Sequence, residues 1–217
     1  MSDIPESIYL IDKPIGITSF DVIRRLRKKV GIRKMGHAGT LDPMASGLLI
    51  VGVGSEGTKQ LENFLKLDKT YQVVAELGVR TDTGDQEGEV VEKIDVVESF
   101  SAEDIQKVCD QLTGVTDLPV PIYSAVKVGG EPLYKKARRG EKVDPPVRAM
   151  KVYSLKLNTV FKNEGSTFLD LTMDVASGVF VRSVVEAIGR GLDVPATTTK
   201  LRRTRIGEFR VEDAEKI

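Results

Sequence analysis

Cysteine, long apolar runs and net charge are what this 217-residue chain has least of. Its one cysteine, Cys109, has no second cysteine with which to form a disulfide or a thiolate metal site, which favours a reducing, cytoplasmic setting. No apolar run approaches the roughly 20 residues that span a bilayer, and residues 1–6 lack the charged and apolar regions of a signal peptide, so we expect neither export nor membrane insertion. Equal counts of 32 basic and 32 acidic residues exclude a global electrostatic argument for a polyanionic partner.

The composition that remains is that of an ordinary globular protein, with 41% apolar and 29% charged residues. The length allows one large domain or two small ones. Charge is distributed unevenly, because basic residues cluster at 24–29, 135–139 and 202–205 while acidic residues concentrate at 82–110. One face of the protein can therefore be basic although the total charge is zero.

A glycine-rich stretch over 36–47 has the composition of a loop that holds functional side chains. Its three glycines allow tight or left-handed backbone, Asp42-Pro43 favours a turn, and the only histidine, His37, lies five positions before Asp42. The apolar run 48–51 that follows predicts a buried strand, so we expect rigid structure to anchor the loop.

Local patterns predict the positions of strands and helices. A helix is expected over 20–30, capped by Thr18 or Ser19 and ended by Gly31. Its predicted buried face comprises Phe20, Ile23, Leu26 and Val30. The other expected elements are strands at 8–11, 70–78, 122–128, 151–161, 167–175 and 204–209, a Pro-containing connection at 113–121, a hairpin turn at 163–165, and helices beginning at 101, 132 and 178.

Two motifs suggest other functions. Residues 52–57 match G-x-G-x-x-G between a strand and a helical pattern, as in a dinucleotide-binding turn, with Glu76 or Asp82 placed for a ribose contact. No further helix and parallel strand follow at once, so we interpret the motif as a helix-entry turn. The acidic loop 82–89 does not match the EF-hand spacing, and we expect a solvated hairpin loop without a metal ion.

Aromatic and basic residues that lie close in sequence indicate nucleic-acid binding. Tyr123 and Tyr134 accompany Lys127 and the basic segment 135–139, a mixture suited to stacking on bases and holding phosphates, although strand tyrosines are also common as half-buried packing.

Arg182 lies among apolar neighbours in the predicted helix from 178. It is either buried with an anionic partner or exposed on an amphipathic helix, and the pattern leaves both open.

Six motifs occur in order along nearly the whole chain. They are Asp12-Lys13-Pro14-x-Gly16, Gly36-His37-Ala38-Gly39-Thr40-Leu41-Asp42-Pro43-x-Ala45-x-Gly47, Lys69-x-Tyr71, Arg80-Thr81-Asp82-Thr83, Tyr123-Ser124-Ala125-x-Lys127, and Val181-Arg182-Ser183 followed by Leu201-Arg202-Arg203. Together they resemble the TruB family of tRNA pseudouridine synthases. The resemblance implies an α+β fold, with a mixed, largely antiparallel central sheet and flanking helices, and a single catalytic domain over 1–217.

The resemblance also implies a reaction: isomerisation of uridine to pseudouridine in the T-loop of tRNA, at position 55, after the base has been flipped out of its stack. Asp42 matches the essential catalytic aspartate, and Arg182 the arginine that keeps it ionised and oriented. Tyr71 matches the catalytic-site tyrosine that stacks on the target base and can take part in proton transfer. His37 matches a residue that holds the flipped RNA. The other RNA contacts expected are Lys13, Lys59, Tyr123, Lys127, Arg202 and Arg203. The resemblance implies tRNA as the partner, no cofactor, no metal and no obligatory protein partner, and we expect a monomer.

Two departures from the family pattern bear on RNA binding. Many relatives carry Ser-Lys-Gly-Thr-Tyr where residues 176–180 are Ala-Ser-Gly-Val-Phe, which removes a cation and a hydroxyl. The chain ends at Ile217, before the separate C-terminal PUA-type domain of many bacterial relatives, so we expect weaker tRNA binding than theirs. The alternative functions are a non-catalytic RNA-binding or RNA-chaperone protein, a guide-RNA-dependent relative, which the missing additional domain disfavours, and a dinucleotide-binding enzyme.

Overall fold

Strands make up most of the regular structure, as the many β-branched and alternating apolar segments predict. The computed structural model describes residues 5–96 and 100–217, so the segment 1–4, part of the predicted non-signal terminus, lies outside the described residues. The strands are β1 (Ile8–Lys13), β2 (Met35–Ala38), β3 (Ala45–Val53), β4 (Lys69–Leu77), β5 (Val79–Thr81), β6 (Val90–Lys93), β7 (Gly114–Pro119), β8 (Lys127–Val128), β9 (Glu131–Pro132), β10 (Val147–Asn163), β11 (Ser166–Val175), β12 (Ala196–Ile206), β13 (Phe209–Arg210) and β14 (Glu215–Lys216). The helices are α1 (Ser19–Val30), α2 (Gly54–Leu65), α3 (Ala102–Gln111), α4 (Leu133–Arg138) and α5 (Val181–Gly191), with a 3-10 turn at Val211–Asp213.

The residues fall into two compact units. The first comprises Met1–Gln72, Asp174–Ser177 and Lys200–Ile217, and the second Val73–Met173 and Gly178–Thr199. Strands β4, β11 and β12 contribute residues to both. The single domain over 1–217 that the resemblance implies stays a prediction.

The first unit is built on strands in the order β14–β1–β3–β12, with β2 paired to β3 and β13 paired to β12. Strand β1 is antiparallel to β3, whereas β3 and β12 run parallel. The predicted strand at 48–51 is confirmed as the centre of β3, and it is buried on both faces. Leu48 and Ile50 lie in one apolar cluster with Leu61 of α2, while Leu49 lies in another with Val22 of α1. A helix therefore packs on each face of this strand.

Helix α1 begins and ends where the sequence predicts. The Thr18 hydroxyl caps it by accepting a hydrogen bond from the backbone of Asp21, and Gly31 ends it with a left-handed φ of 76°. The prediction that Phe20 belongs to the core is wrong, because the buried stripe follows Ser19, Val22, Ile23 and Leu26. Phe20 lies off that stripe and is 48% exposed.

The second unit pairs its strands in the order β12–β4–β11–β10–β7, with separate β5–β6 and β8–β9 hairpins. The predicted hairpin between β10 and β11 is confirmed. Its two turn residues, Glu164 and Gly165, have φ values of 48° and 85°, as the tight turns that match strand twist require. Helices α3 and α5 are present as predicted, and the described residues include no helix long and apolar enough to cross a membrane. The expectation of a mixed, largely antiparallel α+β fold is confirmed.

Four predicted segments are wrong. The strand predicted at 204–209 is the end of the longer strand β12, followed by a turn and then by β13. The 113–121 connection contains strand β7, whose Pro119 is tolerated because β7 is the last strand in the sheet order. Most of the predicted strand 122–128 is irregular, since the carbonyls of Tyr123, Ser124 and Val126 accept bonds from Arg182 and the start of α4 instead of from a neighbouring strand. The glycine-rich loop is shorter than 36–47, because β2 and β3 take both of its ends.

The G-x-G-x-x-G segment joins β3 to α2 as a helix-entry turn, as predicted. A Cβ atom on Gly52 would lie 2.3 Å from the carbonyl oxygen of Gly57, and one on Gly57 would lie 2.3 Å from that of Ser7. Close packing of backbone on backbone therefore explains Gly52 and Gly57 without a phosphate.

Candidate active site

The loop that carries Asp42 joins β2 to β3 and is held on both sides of the aspartate. The hydroxyl of Ser19, buried at the start of α1, accepts from Leu41 N (2.9 Å) and donates to Leu41 O (3.0 Å). The backbone N–H of Gly16 donates to Pro43 O at 2.9 Å, and that of Ala45 donates to Asp42 O at 3.0 Å. The half-buried Asp42 side chain is therefore presented by a backbone with little freedom.

Lys13 supports the same loop. Its side chain is fully buried, and Nζ donates to the carbonyls of Ile17 (2.6 Å), Pro14 (3.0 Å) and Pro43 (3.4 Å). The predicted contact of Lys13 with RNA stays a prediction, and the burial of its ammonium argues against it. Its carbonyl bonds instead tie the 14–17 turn to the Asp42 loop.

Arg202 and Arg203 point to opposite faces of β12, as neighbouring strand residues do. Arg203 is 1% exposed, and its Nε and Nη2 donate to Leu48 O (2.8 Å) and Gly39 O (3.0 Å). Its predicted contact with RNA likewise stays a prediction, and this burial argues against it. Arg202 forms two 2.9 Å bonds with the Asp12 carboxylate and keeps 37% of its side chain exposed, so it remains available to RNA.

Gly47 is the most constrained glycine around the Asp42 loop. It pairs with Arg203 across the parallel β3–β12 ladder, its φ is 106°, and a Cβ atom there would lie 2.2 Å from Arg203 O. We expect Gly47→Ala to lower the free energy of unfolding by about 3 kcal/mol or more, because backbone strain and a backbone clash add. Gly114→Ala is the matched control, since φ is 112° and no atom lies within 4 Å of its Cβ position. Gly114→Ala should lower the free energy of unfolding, measured in urea, by only about 1–2 kcal/mol. Equal losses for the two variants would contradict the predicted clash at Gly47.

His37 lies in β2 with its ring half-buried. Burial, and then the charge of Arg203, lower the pKa of its imidazole, so the ring is neutral at neutral pH. Its Nδ1 is buried without a hydrogen-bond partner among the described residues. A neutral ring is suited to stacking and to hydrogen bonding rather than to pairing with a phosphate charge.

Tyr71 and Lys69 share the buried face of β4. Tyr71 is 8% exposed, and Lys69 donates to the carbonyls of Leu65 (2.7 Å) and Leu67 (2.5 Å) at the end of α2. Burial, followed by the charge of Arg203, lowers the pKa of Lys69 to about 8. The motif Lys69-x-Tyr71 marks this lysine, but its burial was not predicted.

The buried Lys69 predicts how stability depends on pH. Its folded pKa of about 8 lies below the ordinary 10.5, so the unfolded chain binds more protons between these values. The free energy of unfolding should therefore rise with pH across this range, and the titration of Lys69 should contribute up to about 3 kcal/mol to that rise. Urea unfolding at about pH 7 and about pH 10 should show a smaller rise for Lys69→Met than for the wild type. Lys66→Met, which removes a lysine whose side chain is 73% exposed, should keep the rise, and equal behaviour of the two variants would contradict the assignment.

Arg182 lies in the first turn of α5, in the second unit, and is 6% exposed. Its guanidinium donates to Thr83 O (2.7 Å) and Tyr123 O (3.1 Å) and pairs with the Asp85 carboxylate at 3.2 Å. Of the two alternatives open for Arg182, the structure supports the buried arginine with an anionic partner.

Asp85, the anionic partner of Arg182, is not among the site residues predicted from the sequence. The acidic loop is a hairpin loop as predicted, but it is not wholly solvated, since Asp85 is 4% exposed. Its Oδ1 accepts from Thr83 Oγ1 (2.8 Å) and Glu87 N (3.0 Å). Across residues 5–96 and 100–217, no group of three His, Cys, Asp or Glu side chains is arranged to hold a metal ion.

The remaining predicted RNA contacts lie nearer the surface. Lys59 is exposed on α2, in the first unit, and Lys127 is exposed on β8, in the second. Tyr123 is half-buried, and its hydroxyl donates to Asp82 Oδ2 at 3.3 Å. Burial, and then the Asp82 charge, raise the pKa of this hydroxyl.

Comparison with known proteins gives a consistent assignment. Residues 27–181 match the family described as TruB family pseudouridylate synthase (N terminal domain). The chain is 39% identical over 207 residues to tRNA pseudouridine synthase B of Mycobacterium sp. (strain KMS), covering 95% of this chain and 69% of that protein. It is 38% identical over 207 residues to tRNA pseudouridine synthase B of Bacillus subtilis (strain 168), covering 95% of this chain and 67% of that protein.

A solved structure is similar over nearly the whole chain. A chain in the crystal structure of a Cbf5-Nop10-Gar1 complex matches with a TM-score of 0.70 at 26% identity, over 97% of this chain and 52% of that one. The present chain thus spans about half the length of that chain. The family match and the level of identity to curated relatives lead to one conclusion: the chain belongs to the TruB family of pseudouridylate synthases.

Proposed function

We propose that the protein isomerises uridine to pseudouridine in the T-loop of tRNA, at position 55. The observation that carries the proposal is the Asp42 loop, in which Ser19 and Gly16 fix the residues on either side of one carboxylate. Family membership and the two relatives named tRNA pseudouridine synthase B support the reaction and its substrate.

The proposed reaction exchanges one bond of the nucleoside for another. The bond between ribose C1′ and uracil N1 breaks, a bond between C1′ and C5 forms, C5 loses a proton and N1 gains one. Atoms and charge balance without an oxidant, a reductant or a cofactor. Asp42 is suited to this chemistry because a carboxylate can act as a nucleophile or stabilise a cationic sugar.

The other residues bind or orient. The resemblance assigns Arg182 to keeping the Asp42 carboxylate ionised, and the near-complete burial of its guanidinium supports a positioning role over an RNA contact. Tyr71 is proposed to stack on the uracil, and neutral His37 to hold the flipped nucleotide. Lys59, Lys127, Arg202 and Tyr123 supply the contacts with the RNA backbone and bases, so binding should weaken as salt is raised. We further propose that the protein acts in the cytoplasm, as a monomer without an obligatory protein partner.

Incubation with an unmodified tRNA transcript, followed by mapping of pseudouridine, tests the proposal. The wild type should modify the T-loop uridine, and a transcript with cytidine at that position should stay unmodified. A protein that binds the transcript tightly and modifies no position would instead be a non-catalytic RNA-binding protein. Modification confined to another position would contradict the T-loop assignment.

A further inference from the structure

Arg203 is a buried cation whose described hydrogen bonds all go to neutral acceptors. Its guanidinium is 1% exposed and donates to the carbonyl oxygens of Leu48 and Gly39. Burying a guanidinium is unfavourable, because it loses its hydration, unless the surroundings compensate. An apolar side chain of similar volume would fill this space without that cost, so packing alone does not explain an arginine here.

The two carbonyls that Arg203 joins lie at opposite ends of the segment carrying Asp42. Gly39 directly follows β2, and Leu48 lies inside β3, beyond the loop. The main chain of Arg203 also pairs with Gly47 across the parallel ladder. One residue therefore contacts both ends of the loop, through its side chain at Gly39 and Leu48 and through its backbone at Gly47.

The middle of the loop has its own supports, in Ser19 and Gly16, which bind Leu41 and Pro43. These supports fix the local turn around Asp42, and their described hydrogen bonds reach neither Gly39 nor Leu48. The Arg203 guanidinium spans both of those positions. We propose that Arg203 is a positioning residue for the reaction, which fixes the ends of the Asp42 loop and so places the carboxylate without contacting the RNA. The effect on rate rests on the proposed function, because it requires Asp42 to carry the reaction.

The geometry also predicts that lysine cannot replace this arginine. Nε and Nη2 belong to one rigid plane and reach two separate carbonyls, whereas a lysine ammonium is a single centre on a flexible stem. Arg203→Lys should keep the charge and much of the stability while losing the bridge. Arg203→Met removes both the charge and the bridge.

Single-turnover kinetics on tRNA transcript, together with RNA-binding titrations, test the proposal. For both variants we expect the rate constant to fall about 10- to 100-fold, because small displacements of a reacting group have large effects. The dissociation constant for RNA should change less than about twofold, since a group that does not touch RNA contributes no uniform binding. Arg210→Met, on β13, removes an exposed arginine outside the site and should leave the rate unchanged.

Two readouts do not depend on activity. Amide hydrogen exchange should accelerate across residues 39–48 in both variants, more than in α3 of the other unit. His37 is the only histidine, so its imidazole NMR signals titrate without overlap. Because the Arg203 charge lowers the pKa of His37, that pKa should rise in Arg203→Met and stay low in Arg203→Lys.

The outcomes separate the possibilities. An unchanged rate in a folded Arg203→Lys, or a loss confined to RNA affinity, would overturn the proposal, and the second would make Arg203 an RNA contact. Exchange that rises evenly through the whole chain would make Arg203 a general stabilising residue and would also overturn it. If the wild type forms no pseudouridine, the proposed function fails, and exchange at 39–48 still decides whether Arg203 fixes the loop.

Discussion

The Asp42→Asn variant is expected to form no measurable pseudouridine, a loss of at least about 10⁴-fold in rate. Asparagine has nearly the same shape, and the loop backbone is held through Leu41 and Pro43 rather than through the aspartate side chain alone. The substitution should therefore leave the fold and the RNA affinity close to those of the wild type. What it removes is the negative oxygen that the proposed chemistry needs.

Single-turnover assays with excess enzyme measure this loss directly, and filter binding at several salt concentrations measures the affinity. Asp117→Asn is the matched control, because Asp117 is an exposed aspartate on β7 in the other unit. It should retain the full rate. Retained turnover by Asp42→Asn would contradict the assignment of Asp42, whereas a parallel loss of RNA affinity would show that Asp42 is required for binding.

Substitution of Arg182 should have the second-largest effect, and it should affect both stability and rate. Arg182→Met leaves the 4% exposed Asp85 carboxylate without its guanidinium partner, which should cost about 3–5 kcal/mol of unfolding free energy. Arg182→Lys keeps a charge for Asp85 but cannot also reach the carbonyls of Thr83 and Tyr123. We expect it to fold and to react about 100-fold more slowly, because the cation is displaced.

Urea unfolding and single-turnover rates separate these two effects. The double variant Arg182→Met with Asp85→Asn should recover stability relative to Arg182→Met, because the buried Asp85 charge is removed together with its partner, but it should not recover the rate. Arg190→Lys, on the exposed side of the same helix, serves as the control and should behave as the wild type. A full rate in Arg182→Lys, or equal stability of the single and double methionine variants, would contradict the role given to this network.

Features set by nearby residues were predicted well. The cap at Thr18, the stop at Gly31 and the hairpin turn at 164–165 each depend on a few neighbouring residues, and all three are present. The strand at 48–51 was predicted because an apolar run covered on both faces needs no alternation. Phe20 shows the limit of this reasoning, since the orientation of α1 on the sheet decides which stripe is buried, and that orientation depends on distant strands.

Buried charges were the least predictable part of the site. Arg182 was suspected of needing an anion, but Asp85 lies 97 positions away, and no local pattern connects the two. The sequence predicts Lys13 and Arg203 as surface cations. The carbonyl oxygens that accept their hydrogen bonds come together only in the folded chain. Strand alternation does carry a signal: Arg203 shares a face of β12 with buried Leu201, which marks it as inward-facing.

The basic residues consequently divide into buried and exposed ones, even within one cluster. In the cluster at 202–205, Arg203 is internal and stabilises the Asp42 loop, whereas Arg202 remains partly exposed. RNA contacts should therefore be sought at Arg202, Lys59 and Lys127 and not at Arg203 or Lys13. Charge counted along the sequence overestimates the charge available to RNA, because a buried cation does not release counterions on binding.

In the proposed reaction, Asp42 carries a rearrangement in which uracil C5 becomes bonded to the ribose. Release of tritium from a tRNA transcript labelled at uridine C5 measures that step, since C5 must lose its hydrogen. At equal RNA occupancy, the wild type should release the label from one T-loop uridine per transcript, and Asp42→Asn should release none. Equal release by both proteins, or no release by a wild type that binds the transcript, would contradict this proposal.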